Sequence, residues 1–237
     1  MLQKFVEFKK RMGSPVRLDR RAPKKEIRMK KTVCGIFVAV AFICAGMAAY
    51  GAVDPTKTSY TPKEMELRTT AREIFSQNLT WQRAVALTTI GSAGDASKAQ
   101  ERLMRSQDDI GNTFGTYFGD ADGQQLASLL KQYAQLVADY STSAMMHADN
   151  SLNVTKMHDT MDQIGTFLSQ ENMVWDKTRL SDKLKKYSDM LTAEIDLQGK
   201  SFGTIDSTTC DATFYQAMDI ADTFAFGIIK QNPGKFW

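Results

Sequence analysis

Apolar residues recurring three and four apart, with no stretch of strict alternation, constrain this chain more than any other feature. The clearest case is residues 124–147, where Leu126, Leu129, Leu130, Tyr133, Leu136, Val137 and Tyr140 fall on one face of a 3.6-residue helix. The spacing returns over residues 97–116 (Leu103, Ile110, Phe114), 152–169, 177–200 (Leu180, Leu184, Tyr187, Met190, Leu191, Ile195) and 208–231 (Phe214, Met218, Ala221, Phe224, Ala225, Ile228). A further helix opens at Thr61-Pro62-Lys63-Glu64. There Thr61 can cap, Pro62 has no N–H to leave unpaired, and Glu64 can return a bond to the cap. It runs to about Ile90, with Ile74, Leu79 (or Asn78), Trp81, Val85 and Ile90 inward. The breaks are Gly91–Asp95, Gly119–Gly123 (read as a turn capped by Asp120 or Asp122), Gly199 with Gly203, and Pro233. Short connections make neighbours antiparallel, so the pattern predicts an all-α antiparallel bundle of five to six helices.

Shifting the chain by 54 residues aligns 106–139 with 160–193 without a gap. The identities are Asp108/Asp162, Ile110/Ile164, Gly111/Gly165, Asp122/Asp176, Leu126/Leu180, Leu130/Leu184, Lys131/Lys185 and Tyr133/Tyr187. Glycine and aspartate matches go beyond what apolar periodicity alone would align. They predict a duplicated helical hairpin and approximate two-fold symmetry; two copies are too few for a solenoid.

The net charge of +3 conceals a division. Residues 1–31 hold 12 Lys/Arg and 3 Asp/Glu, whereas the rest holds 18 basic and 24 acidic residues, a net of −6. Nucleic-acid binding needs a clustered cationic footprint, and Lys183, Lys185 and Lys186 are diluted by Asp182 and Asp189, so no nucleic-acid partner is expected. Between the two regions, Thr32 to Val53 carry no charge. A basic flank, an apolar run and small residues at Ala49 and Gly51 predict a signal peptide over 29–51, cleaved before Ala52. Residues 1–28 are then a basic extension before a conventional start at Met29, 52–60 a linker, and 61–237 the helical domain. The alternative is that residues 32–53 stay as an anchor, since about 20 apolar residues span a bilayer. Either way the domain is expected outside the cytoplasm, periplasmic or secreted.

Once the signal is removed, Cys210 is the only cysteine, too few for a disulfide or a thiolate metal site. The domain holds two histidines, His147 and His158, and no Glu-x-x-His pair of the kind that builds metal sites in bundles. A metal- or cofactor-binding bundle would have to use carboxylates, with Asp108, Asp162, Asp219 and Asp222 as its candidates. Asp108 and Asp109 are adjacent, so on a helix they point about 100° apart and cannot share a substrate proton. Asp120-Ala121-Asp122-Gly123 lacks the acidic series of a calcium loop. No serine sits in a nucleophile turn and no glycine loop cradles phosphate. No catalytic residue and no cofactor are predicted. The expectation is a protein that binds rather than turns over, its partner an unidentified protein or small molecule. Tyr117, Phe118, Phe236 and Trp237 lie near element ends, where an exposed aromatic would mark a partner surface.

The stretches Trp81-Gln82-Arg83, Gln107 to Asn112, Tyr117-Phe118-Gly119, Leu129-Leu130-Lys131, Ala221-Asp222 and Gly227 to Phe236 together resemble a family of small exported helical proteins, over roughly residues 70–236. Its members are uncharacterised. Automatic labels such as glycosyltransferase or acetylglutamate kinase do not suit a chain without alternating strands and helices. The resemblance implies an exported bundle with histidines facing its interior, and here the chain departs. Asn78 stands where histidine is common before Trp81, Tyr133 and Tyr187 occupy matching places in the two hairpins, and Phe214 and Gln216 replace a histidine pair. Any metal or cofactor that those histidines hold in relatives is expected to be lost here.

Overall fold

The computed structural model describes residues 59–237; the expected signal, the N-terminal extension and most of the linker lie outside them. Six helices follow one another: α1 (Pro62–Ile90), α2 (Ala96–Phe118), α3 (Asp120–Met145), α4 (Ser151–Glu171), α5 (Lys177–Lys200) and α6 (Ser207–Gln231), with a 3₁₀ turn at Pro233–Lys235. No strand occurs among the described residues, so the domain is all-α. None of these helices is long and apolar enough to cross a membrane.

The opening of α1 forms as its sequence predicts. The Glu64 N–H donates to Thr61 Oγ1 at 3.2 Å, and the Thr61 N–H donates to Glu64 Oε2 at 2.9 Å. Two orphan donors of the first turn are thereby satisfied. Thr61 Oγ1 also donates to the Phe236 carbonyl at 2.7 Å, tying the start of the domain to its last turn. Phe236 is buried there and stacks on Tyr117 with centroids 5.6 Å apart, while Phe118 stacks on Phe114 at 4.3 Å. Three of the four end-lying aromatics are therefore packing groups. Trp237 alone is largely exposed, at 84%.

Helices α1, α3 and α5 pack on one another, and each of α2, α4 and α6 lies against two of them; α6 closes on α1. The apolar stripes meet at a junction to which all six helices contribute, around a cavity of only 30 Å³. Ile110 with Ile164, Leu126 with Leu180 and Leu130 with Leu184 line it, each pair 54 residues apart. Phe75, Trp175 and Phe224 complete the wall. Each large side chain wholly buried in such a core contributes about 1.5–3 kcal/mol.

Two expectations need correction. The turn at Gly119–Gly123 is a single residue, because Gly119 (φ 111°) reverses the chain alone and α3 starts at Asp120. Asp120 and Asp122 lie in the first turn of α3 and make no side-chain cap; negative charge there still complements the helix dipole. So abrupt a reversal requires the helices to touch: a Cβ on Gly111 would lie 2.5 Å from the Gly123 carbonyl oxygen. Phe214 is also not inward. It is 38% exposed and meets Tyr215 edge-on, because the buried face at that end of α6 carries Thr213, Gln216 and Ala217.

Candidate functional site

Each of the four candidate carboxylates sits beside its own cation. Asp108 meets Lys131 at 2.6 Å, Asp162 meets Lys185 at 2.6 Å and Asp219 meets Lys183 at 2.6 Å. Asp222, almost fully buried, is gripped by both Nε and Nη2 of Arg72 and approached by Arg68 at 3.2 Å. The Lys185 hydrogen bond holds the Asp162 carboxyl below its ordinary pKa. Asp108 and Asp162 thus cross-link their own hairpins, α2 to α3 and α4 to α5. No group of three or more His, Cys, Asp or Glu gathers among the described residues. His158 meets Asp189 at 2.7 Å on the surface, and His147 lies just past α3 with a positive φ of 53°.

Of Asn78, Tyr133, Tyr187 and Gln216, only some converge. Tyr187 donates to Gln82 Oε1 at 2.7 Å, and Gln82 Nε2 donates to Asn78 Oδ1 at 2.9 Å. Gln107 Nε2 donates to the same Asn78 oxygen at 3.2 Å, to the Leu103 carbonyl and to Ser106 Oγ. This chain of amides and hydroxyls is buried among α1, α2 and α5. Tyr133, only 2% exposed, holds its hydroxyl near Ser188 but in no well-formed hydrogen bond among the described residues. Burial raises the pKa of both phenols, so they stay neutral. Gln216 donates to the Lys183 carbonyl at 3.0 Å, apart from this network.

A roomier feature lies where the ends of α1 and α5 meet the start of α6. A cavity of about 640 Å³ opens there, walled by Ala86, Leu87, Leu191, Ile195, Leu197 and Ile205. Its volume falls within the ordinary range of small-molecule sites, about 300–1,000 Å³. Arg83 sits in the wall and forms a two-pronged pair with Glu194, Nε to Oε2 and Nη2 to Oε1 at 2.8 Å each. Nη2 also donates to the Cys210 carbonyl at 2.8 Å. Asp196 accepts from the Tyr140 hydroxyl at 2.8 Å. Asp206 caps α6, accepting from the Thr208 N–H and the Thr209 hydroxyl. Cys210 lines the cavity from the first turn of α6. Burial, then the Glu194 charge, pushes its thiol up from the ordinary pKa, which keeps it protonated.

Sequence reasoning missed this cavity. Arg83 and Glu194 are 111 residues apart, and no local motif joins them. The available signal was a charge flanking the buried stripe on each of two helices.

No family model matches the chain, and no curated protein or solved structure matches it either.

Proposed function

We propose that this is an exported helical-bundle protein that acts by binding, with the 640 Å³ cavity between α1, α5 and α6 as its ligand site. The observation that carries this reading is the cavity itself: mainly apolar walls, a volume suited to a small molecule, and charged groups already engaged with one another. Arg83 pairs with Glu194, Asp196 accepts from Tyr140, and Asp206 serves the α6 cap, so these four charged side chains are held by partners within the protein. Export rests on the basic flank and the uncharged run from Thr32 to Val53, and on the resemblance to small exported proteins. Retention of residues 32–53 as an anchor is the second reading, favoured by the length of that run; the intact mass of the exported protein separates the two.

The same proposal takes α2–α3 and α4–α5 as copies of one hairpin. Two kinds of contact support it: the Asp108–Lys131 and Asp162–Lys185 pairs, and Gly111 against Ala127 where Gly165 meets Ser181, all related by the 54-residue shift.

The test uses the full chain and N-phenyl-1-naphthylamine, a dye that brightens in apolar surroundings. Leu87 lines the cavity yet is 43% exposed, so Leu87→Arg fills it without emptying the core. The dye is expected to brighten with the parent protein and at least tenfold less with Leu87→Arg. Equal brightening by both proteins, or none by either, overturns the site.

A further inference from the structure

We infer that the cavity selects an uncharged ligand, an apolar molecule bearing a carbonyl acceptor, and that the free Nη1 edge of Arg83 holds that carbonyl. This rests on the cavity being the ligand site. Arginine carries five N–H donors in a rigid fork. In Arg83, Nε faces Glu194, and Nη2 faces Glu194 and the Cys210 carbonyl, while the two N–H groups of Nη1 have no partner among the described residues.

The charges around Arg83 decide against ionic ligands. Glu194 neutralises the guanidinium with both of its oxygens, so an anion gains little from Arg83 and faces Glu194, Asp196 and Asp206. Bringing an anion out of water against Glu194 and Asp196 is opposed by both desolvation and repulsion, while Asp206, exposed like Lys200, adds little. A cation meets the reverse difficulty. The oxygens of Glu194 are taken by Arg83, Asp206 is turned to the helix cap, and Asp196 already accepts from Tyr140. Lys200 is exposed in the last turn of α5, where its ammonium stays hydrated. An uncharged acceptor avoids both penalties, because it needs one charge-assisted hydrogen bond and otherwise only apolar contact.

The exposed apolar residues at the opening agree. Leu87 and Ile205, the latter 75% exposed, would be covered by the body of such a ligand.

Three ten-carbon probes of different charge test the assignment on the full chain: 2-decanone, decanoate and decylammonium. Two readouts are used, displacement of N-phenyl-1-naphthylamine and protection of Cys210 from N-ethylmaleimide by peptide mass mapping. 2-Decanone is expected to displace the dye at least tenfold more tightly than either ion and to slow Cys210 labelling. Arg83→Lys, which lacks the planar fork, is expected to weaken 2-decanone about tenfold more than it weakens the dye. Glu194→Gln supplies an independent arm should that variant fail to fold: it frees the guanidinium charge and is expected to reverse the preference toward decanoate. If the dye binds but an ion is preferred, or all three probes bind alike, the ligand assignment is overturned and the site stands. If the dye does not bind and no probe protects Cys210, the site itself is wrong.

Discussion

The hairpins α2–α3 and α4–α5 share a pattern but close differently. Each carries an Asp–Lys pair at 2.6 Å between its helices, and each sets a glycine against a small residue of the partner helix. In α2–α3 the contact is backbone on backbone, since Gly111 and Gly123 face each other and the connection is Gly119 alone. In α4–α5 the residue corresponding to Gly123 is Lys177, and the connection is Asn172–Asp176. It carries Trp175, whose indole N–H donates to the Thr223 carbonyl at 2.9 Å. One pattern of inward residues therefore closes on backbone atoms in α2–α3 and on the Ser181 side chain first in α4–α5.

The largest expected effect breaks that difference directly. Gly111→Ala places a Cβ 2.5 Å from the Gly123 carbonyl oxygen and 2.7 Å from Ala127 Cβ, where no rotamer offers relief. The loss of stability is expected at about 3 kcal/mol, the upper range for overpacking. Gly165→Ala meets the Ser181 side chain first and its backbone only at 3.2 Å. It is expected to lose about 1 kcal/mol, the clash being partly offset by alanine's better helix propensity. Urea unfolding of both variants measures this; equal losses would show that the two hairpins close alike.

A smaller effect separates the two tyrosines. Tyr187 and Tyr133 match under the 54-residue shift, yet only Tyr187 donates a hydrogen bond, to Gln82. Tyr187→Phe leaves a buried carbonyl oxygen unpaired, so about 1–3 kcal/mol should be lost. Tyr133→Phe removes a hydroxyl that makes no well-formed hydrogen bond, only an approach to Ser188, and should stay within about 0.5 kcal/mol of the parent. A large loss on Tyr133→Phe would give its hydroxyl a bond that the structure lacks.

The helices could be read from the sequence because each buries a stripe, and the start of α1 because Thr61 caps it; Asp176 and Asp206 cap α5 and α6 without having been singled out. The reversal at Gly119 could not. It depends on Gly111 and Gly123 meeting across two helices, a tertiary fact that leaves only a glycine-rich segment in the sequence. Phe214 misled for a related reason: its spacing suited the stripe, but the rotation of α6 is set farther along by Ile220, Phe224 and Ile228. What the candidate aspartates contact left no trace in the local sequence, since each cation lies on a neighbouring helix. The cavity was invisible because its walls come from both ends of the domain's sequence.

The smallest effect sharpens the comparison through charge. Both Asp–Lys pairs are part-exposed, so double-mutant cycles on Asp108–Lys131 and Asp162–Lys185 should each give about 0.2–1 kcal/mol. The Asp162 carboxyl is more acidic when folded, chiefly through its Lys185 hydrogen bond. Its contribution is therefore complete above the unfolded pKa, about 4, and is lost as the pH falls through the lower folded value. Thermal unfolding of Asp162→Asn against the parent should show a constant deficit at pH 6–7 that shrinks on acidification. A deficit that grew toward acid would mean that the folded state raises this pKa. Coupling energies that agree between the hairpins would show that the pairs are indifferent to how the glycines pack, because flexible lysine stems reach 2.6 Å in both.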